Sequence, residues 1–277
     1  MLSRDGKLKS VERESFEDYK QRFSDFAVLN RRDGIIEVRL HRDGGPALWN
    51  AAVHSALGHI LRTVSEDADN EVMILTGTGD SWITPDFEFV AEAAQTLATN
   101  PQSFVNSIYD GFFVDGTEFL EAMVSSLKIP TIGIINGPGI HTEFPLLCDI
   151  TLCAEDTFFG DQHFIAGLVP GDGQYAVLKE LLGPQRANLM AYTGHSMDAQ
   201  TALNEGVVAE VLPREQLLPR AWDIAGQIMQ KPRVVRRMTA EVVKRKWRQV
   251  LENELRAQLV MESFAAAVSQ GVSLPTD

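Results

Sequence analysis

The densest concentration of residues able to do chemistry lies between Asn136 and Gln174. It holds the turns Asn136-Gly137-Pro138-Gly139 and Pro170-Gly171-Asp172-Gly173, two of the six histidines (His141 and His163), and the carboxyl groups of Glu143 and Asp172. Glycine-rich turns let backbone N–H groups approach a ligand and point at developing negative charge. An imidazole near neutral pH is suited to take a proton from water, and a carboxylate on its second ring nitrogen orients it and favours the imidazolium. His163 and Asp172 have the types for such a pair, but their spacing alone does not show that they meet. Taken singly, each histidine has an ordinary structural reading as well.

Other chemistries lack their motifs. No GxxxxGK[ST] run offers a phosphate loop, and Gly77-Thr78-Gly79 is too short for a dinucleotide fingerprint. Neither HExxH nor GxSxG occurs, so a metal centre and a nucleophilic serine have no local support. The two cysteines, Cys148 and Cys153, have no zinc-type spacing and read as buried free thiols in a reducing compartment. The net charge of 25 − 38 = −13 repels phosphate backbones, which argues against nucleic acid as a partner. No run approaches the ~18 apolar residues that span a bilayer, and Met1–Asp25 is charged without the apolar stretch of a signal peptide. A cytoplasmic protein is expected, with no membrane partner. With 277 residues, 44% of them apolar, the chain can bury a sizeable core.

The elements that must position these residues follow from periodicity. Phe26–Asn30 and Ile35–Leu40 flank Arg31-Arg32-Asp33-Gly34, a hairpin signal. Ala51–Ser65 has helical apolar spacing; Glu71–Thr76, Thr131–Ile135, Ile150–Cys153 and Val207–Leu212 read as strands. Phe87–Thr99 and Phe104–Leu127 read as helices, the second interrupted near Gly111–Gly116. Ala176–Leu182, Arg186–Tyr192 and Asp198–Asn204 are helical, with Asp198 as an N-cap. Glu215–Gln230, Arg233–Glu252 and Leu255–Ser269 form a helical C-terminal section. Alternating strands and helices predict an α/β core with mostly parallel strands. The organisation expected is an N-terminal extension over 1–25, an α/β core over 26–212 and a helical region over 213–277. The basic segment Lys231–Arg248 reads either as an anion patch or as a helix face paired with acidic neighbours.

Over about residues 26–270 the sequence resembles the crotonase (enoyl-CoA hydratase/isomerase) superfamily. The markers are Val72-Met73-Ile74-Leu75-Thr76-Gly77, Ile129-Pro130-Thr131, Ile135-Asn136-Gly137-Pro138, Leu147-Cys148-Asp149-Ile150, Phe158-Phe159-Gly160 and Leu168-Val169-Pro170-Gly171-Asp172-Gly173. Thr193-Gly194, Ala199, Ala202 and Gly206-Val207-Val208 match a later segment. The resemblance implies a crotonase-like α/β fold with a ββα-repeat core and a helical C-terminal trimerisation section. It also marks departures. Of the two glutamates typical of hydratases, the first falls at Glu143, but the second falls at His163. One oxyanion-hole N–H falls at Pro85, which has none, and the other falls near Ile140.

This combination is similar to one branch, the 6-oxocamphor hydrolase-like β-diketone hydrolases, which cleave a carbon–carbon bond by a retro-Claisen reaction without coenzyme A. The shared motifs are Leu48-Trp49, His54, His141-Thr142-Glu143-Phe144-Pro145, His163-Phe164, Val169-Pro170-Gly171-Asp172-Gly173 and Glu262. The resemblance implies His163 as base, Asp172 as its partner, and His141 with Glu262 near the substrate carbonyls. Trp49, His54 and Glu143 would contact substrate. No metal, nucleotide or redox cofactor is implied. The expected partners are a small β-diketone and further copies of the chain, as a homotrimer or a dimer of trimers. Each residue keeps a plain reading beside this one: Trp49 as core, His54 as a satisfied histidine, Glu143 as a helix cap, Glu262 as a solvated charge. An acyl-CoA hydratase or hydrolase is the alternative activity, and a non-catalytic scaffold the third reading.

Overall fold

The computed structural model describes residues 13–269; residues 1–12 of the expected N-terminal extension and 270–277 of the C-terminal region lie outside the described residues. Helix α1 (Phe16–Arg22) starts at Ser15, whose side chain accepts from the Asp18 N–H. Its Tyr19 is buried in the core and donates to Asp67 Oδ2 at 2.8 Å. Strands β1 (Ala27–Arg32) and β2 (Ile35–Leu40) then pair antiparallel across Asp33-Gly34. Both turn residues have left-handed φ, 51° and 80°, the backbone hand that matches a two-residue hairpin.

Strand β3 (Ala47–Trp49) leads into α2 (Ala51–Glu66), capped by Asn50, which accepts from the Val53 N–H at 3.1 Å. Strands β4 (Val72–Thr76) and β5 (Ile83–Pro85) follow. Helices α3 (Phe87–Thr99) and α4 (Pro101–Ser107) continue into a π-helical stretch over Ile108–Asp115, then α5 (Gly116–Glu121) and a second wide stretch over Ala122–Ser126. The expected interruption at Gly111–Gly116 is therefore a change of helix width: wider turns absorb the glycines without breaking the helix.

Next come β6 (Thr131–Ile135), the short α6 (Glu143–Leu146), β7 (Ile150–Ala154) and β8 (Phe158–Phe159). They are followed by α7 (Gln174–Leu182), α8 (Pro184–Thr193), β9 (Met197–Asp198) and α9 (Ala199–Asn204), the last capped by Asp198 as predicted. The last strand, β10 (Glu210–Leu212), is shorter than predicted; Val207 and Val208 are buried by packing outside the sheet. Helices α10 (Arg214–Met229) and α11 (Arg233–Ser269) complete the chain. Here the expectation of two separate helices is corrected. No glycine or proline occurs between Arg233 and Ser269, and the helix runs through without a break.

The main sheet has the order β1-β2-β4-β6-β7-β10 and is parallel except for the hairpin. The two-residue period of a strand splits its side chains between two cores. Val72, Ile74, Ile132, Ile134 and Leu152 pack on Leu217, Ala221 and Ala225 of α10. Met73, Leu75, Ile135 and Cys153 face the larger core, to which α2, α5 and α11 contribute. Both cysteines are buried and free. A separate parallel pair, β3–β5, places Trp49 opposite Pro85.

The basic segment is used internally. Arg236 pairs with Glu71 at 2.6 Å, Lys246 with Glu180 at 3.2 Å and Arg248 with Glu241 at 2.7 Å. Lys244 is fully buried, bonded to Asp149 and, at 3.0 Å, to the Ile129 carbonyl. Among the described residues no helix is long and apolar enough to cross a membrane.

Candidate active site

A cavity of about 740 Å³ forms where the ends of β3 and β5, the loop after β6, the turns before α7 and the last third of α11 converge. Trp49, Phe89, Phe112, Phe119 and Leu259 give it an apolar lining. Its polar groups include His54, His141, His163, Asp172, Gln174 and Glu262.

His141 follows the Pro138-Gly139 turn with a left-handed φ of 56°, which costs a non-glycine residue roughly 1–2 kcal/mol. Three contacts hold it there. Its carbonyl accepts from Trp82 Nε1 at 3.0 Å, its ring lies 3.8 Å from that of Trp49, and Phe144 stacks at 5.4 Å. Its Nδ1 lies 2.9 Å from Glu143 Oε1 and 3.2 Å from Asp172 Oδ2. Burial opposes charge on this ring, but the Glu143 and Asp172 carboxylates overcome it and lift the imidazole to about 9.

His163 sits on the turn after β8. Its Nδ1 lies 2.8 Å from Asp161 Oδ1, and its backbone N–H donates to the same oxygen at 3.0 Å. Nε2 lies 3.2 Å from Asp172 Oδ2 and 3.6 Å from Glu262 Oε1. Burial again opposes charge, and Asp172, Asp161 and Glu262 outweigh it, pushing the ring up to about 12. The resting form is therefore an imidazolium at neutral pH, where the sequence reading expects a neutral base. Asp172 is held well below the usual carboxylate range: burial would raise it, but His163 and His141 both stabilise its charge. Its Oδ1 accepts from the Gln174 N–H at 3.1 Å, which ties the carboxylate to the start of α7.

Glu262 comes from the inward face of α11, in helical register with the buried Leu251, Leu255 and Leu259. Gly171 lets it approach: a Cβ there would lie 2.4 Å from the Gln258 carbonyl and 2.6 Å from Glu262 Cβ. Burial, reinforced by Asp172, raises Glu262 to about 8, so it holds its proton to a higher pH than an ordinary carboxyl group does. Burial raises Glu143 to about 7 against the pull of His141. His54 is driven down to about 4 by burial and by the neighbouring His141, so it is neutral. Its ring packs edge-on to Trp49 at 4.9 Å and Phe119 at 5.3 Å.

The structure brings His163 and Asp172 together but changes the partner on the second ring nitrogen. Asp172 lies on Nε2, and Asp161 lies on Nδ1. Asp161 is the residue that the sequence reading missed; its signal is an Asp two positions before a histidine in a turn, where the side chain can accept from the i+2 N–H. Glu262 reaches the site of its own chain, and is buried rather than solvated. Trp49 and His54 line the cavity. Glu143 does not: it is fully buried behind His141, so a direct substrate contact gives way to a bond to the His141 ring. His141, Glu143 and Asp172 offer atoms within 4.8 Å of one another, close enough for a cation. The same short spacing is that of a proton on His141 Nδ1 shared between two carboxylates, and the raised His141 accords with that proton. Neither expected backbone position offers a free N–H: Pro85 has none, and the Ile140 N–H donates to the Ile83 carbonyl at 2.9 Å.

The family profile described as enoyl-CoA hydratase/isomerase matches residues 30–272. A crotonyl-CoA hydratase of Syntrophomonas wolfei is 30% identical over 217 residues, 76% of this chain and 78% of that protein. A carnitinyl-CoA dehydratase of Salmonella enteritidis is 31% identical over 203 residues, 73% of each chain. Among solved structures, a β-diketone hydrolase from the cyanobacterium Anabaena, bound to (S)-3-oxocyclohexyl acetic acid, superposes with a TM-score of 0.82. It is 29% identical, and the match covers 92% of this chain and 98% of that one.

Proposed function

The chain belongs to the enoyl-CoA hydratase/isomerase family, and from that premise we propose that it hydrolyses a carbon–carbon bond of a cyclic or bicyclic β-diketone, releasing a keto acid. The observation that carries this reading is the cluster around His163. A ring nitrogen facing an apolar cavity lies against Asp172 and Glu262, while the family's backbone oxyanion positions offer no donor. The Anabaena β-diketone hydrolase, with its cyclic keto acid, supports it.

In this reading water donates one proton to the His163–Asp172–Glu262 cluster as its oxygen bonds to one ketone carbon. The tetrahedral alkoxide collapses, the ring carbon–carbon bond breaks, and its electron pair passes to the second ketone as an enolate. His141, a charged donor, stabilises that enolate; one such donor is worth on the order of 3–4 kcal/mol. The cluster then returns its proton to the enolate carbon. Because His163 already carries its proton, the cluster becomes basic when Glu262 ionises. Glu143 acts through His141 by stabilising its charge. Trp49 and His54 shape the pocket. None of these steps calls on a cofactor.

Product analysis by mass spectrometry tests this. The purified protein is incubated with a panel of cyclic β-diketones, beside crotonyl-CoA. A product one water heavier than a diketone, absent in His163→Ala, is expected. The 30–31% identity to crotonyl-CoA hydratase and carnitinyl-CoA dehydratase favours the second reading, acyl-CoA hydration; turnover of crotonyl-CoA alone would establish it and overturn the first.

We further propose self-association as a homotrimer or a dimer of trimers. Val234, Val235, Met238 and Val242 form an exposed apolar face near the start of α11. Sedimentation as a monomer at micromolar concentration would refute this.

A further inference from the structure

Asp161 has no part in the mechanism above, yet it is buried directly against His163. Its side chain is 1% exposed. One oxygen, Oδ1, accepts twice from the same residue: from the His163 backbone N–H at 3.0 Å and from the ring Nδ1–H at 2.8 Å. The first bond closes a turn of Asx type, which orients the Cα–Cβ bond of His163. The second fixes the rotation of the ring. The other charged groups approach from different elements: Asp172 from the turn before α7 and Glu262 from α11, both at Nε2, and His141 from the loop after β6, on the far side of Asp172 with Glu143 behind it. Among the described residues Asp161 is the group in contact with Nδ1.

We propose that Asp161 is a positioning residue for His163: its carboxylate keeps a proton on Nδ1, so that Nε2 is the ring nitrogen through which His163 exchanges protons with the cavity, Asp172 and Glu262. Without it, an imidazolium that gives up a proton is free to give it from Nδ1, keep the other on Nε2 against Asp172, and leave its basic nitrogen facing Asp161's place in the turn. The ring would then be present but in the wrong tautomer. The kinetic consequence rests on the hydrolase reading; the tautomer and the ring's titration do not.

The test is ¹⁵N-histidine NMR of the substrate-free protein across pH, for the wild type and for the isosteric Asp161→Asn, followed by kinetics. In the wild type the His163 Nδ1–H should be seen as an exchange-protected proton, a readout that needs no variant. In Asp161→Asn the ring should titrate at least about one pH unit lower, because an opposite charge within bonding distance is gone. Its kcat should fall by about 10²-fold or more with KM little changed, as for loss of the group that orients a catalytic imidazole. An unprotected Nδ1–H in the wild type, or an Asp161→Asn ring that titrates as the wild type does, would overturn the proposal. Spectra that behave as stated while no diketone is cleaved would sink the hydrolase reading and leave Asp161 standing. Cleavage abolished by His163→Ala but spectra unmoved by Asp161→Asn would do the reverse.

Discussion

At His163 the chemistry turns on which group gives up a proton first. A histidine without charged neighbours would ionise in the ordinary histidine range, and the rate would rise there. Here burial opposes the charge, but Asp172 and Asp161 hold the imidazolium to about 12, while burial holds Glu262 up to about 8. Two carboxyl groups therefore lose protons near neutrality, Glu143 at about 7 and Glu262 at about 8, and of the two Glu262 lines the cavity and belongs to the His163 cluster. A base must be deprotonated to act, so kcat/KM for the free enzyme should be low at pH 6 and rise through about 8. Glu262→Gln should remove that limb and lower the rate by about 10²-fold or more. A limb at the ordinary histidine position that survives in Glu262→Gln would return the role to a neutral His163.

At the scale of elements, the site depends on a loop and a helix touching where neither has a side chain to spare. Gly171 sits against the backbone of α11, and a Cβ there would intrude on the Gln258 carbonyl at 2.4 Å. Gly171→Ala must push α11 away from the turn and carry Glu262 with it. The expected cost is about 1–3 kcal/mol of stability, as for overpacking a filled site, and a loss in kcat larger than the change in KM. Urea denaturation with steady-state kinetics checks both; unchanged stability would mean the helix yields freely. The sequence displays the Gly171 turn plainly. It does not display the continuity of α11, since a shift in apolar pattern near Asn253 resembles a break unless one notes that no residue there stops a helix.

At the scale of the whole molecule, the long helix is pinned to the sheet by a buried ion pair. Lys244 of α11 is fully buried against Asp149, which also accepts from the Thr131 N–H at 2.8 Å at the start of β6. Removing one partner of a buried pair leaves the other charge uncompensated. Lys244→Ala should therefore cost about 3–5 kcal/mol in unfolding free energy, and it should also slacken the far end of α11, where Glu262 works. Denaturant melts are the measurement; a loss below 1 kcal/mol would show that Asp149 finds water or another donor.

The strand runs, the Asp33-Gly34 hairpin, the α/β class and the residue types of the site were legible in the sequence, because local periodicity and turn chemistry determine them. His163, Asp172 and His141 stand out by type and by the glycine turns around them, whereas Trp49, His54 and Glu262 are marked only by the family resemblance; all six line one cavity. Only the tertiary structure decided their pairings. The side of the ring that Asp161 takes, the bridging of two imidazoles by Asp172 and the retreat of Glu143 behind His141 depend on side-chain directions set by turns with left-handed backbone and by packing across more than a hundred residues. The order in which the groups ionise follows from burial and proximity, which are properties of the folded molecule. A sequence lists the acids and bases; their strengths exist once the fold has removed water and set the distances.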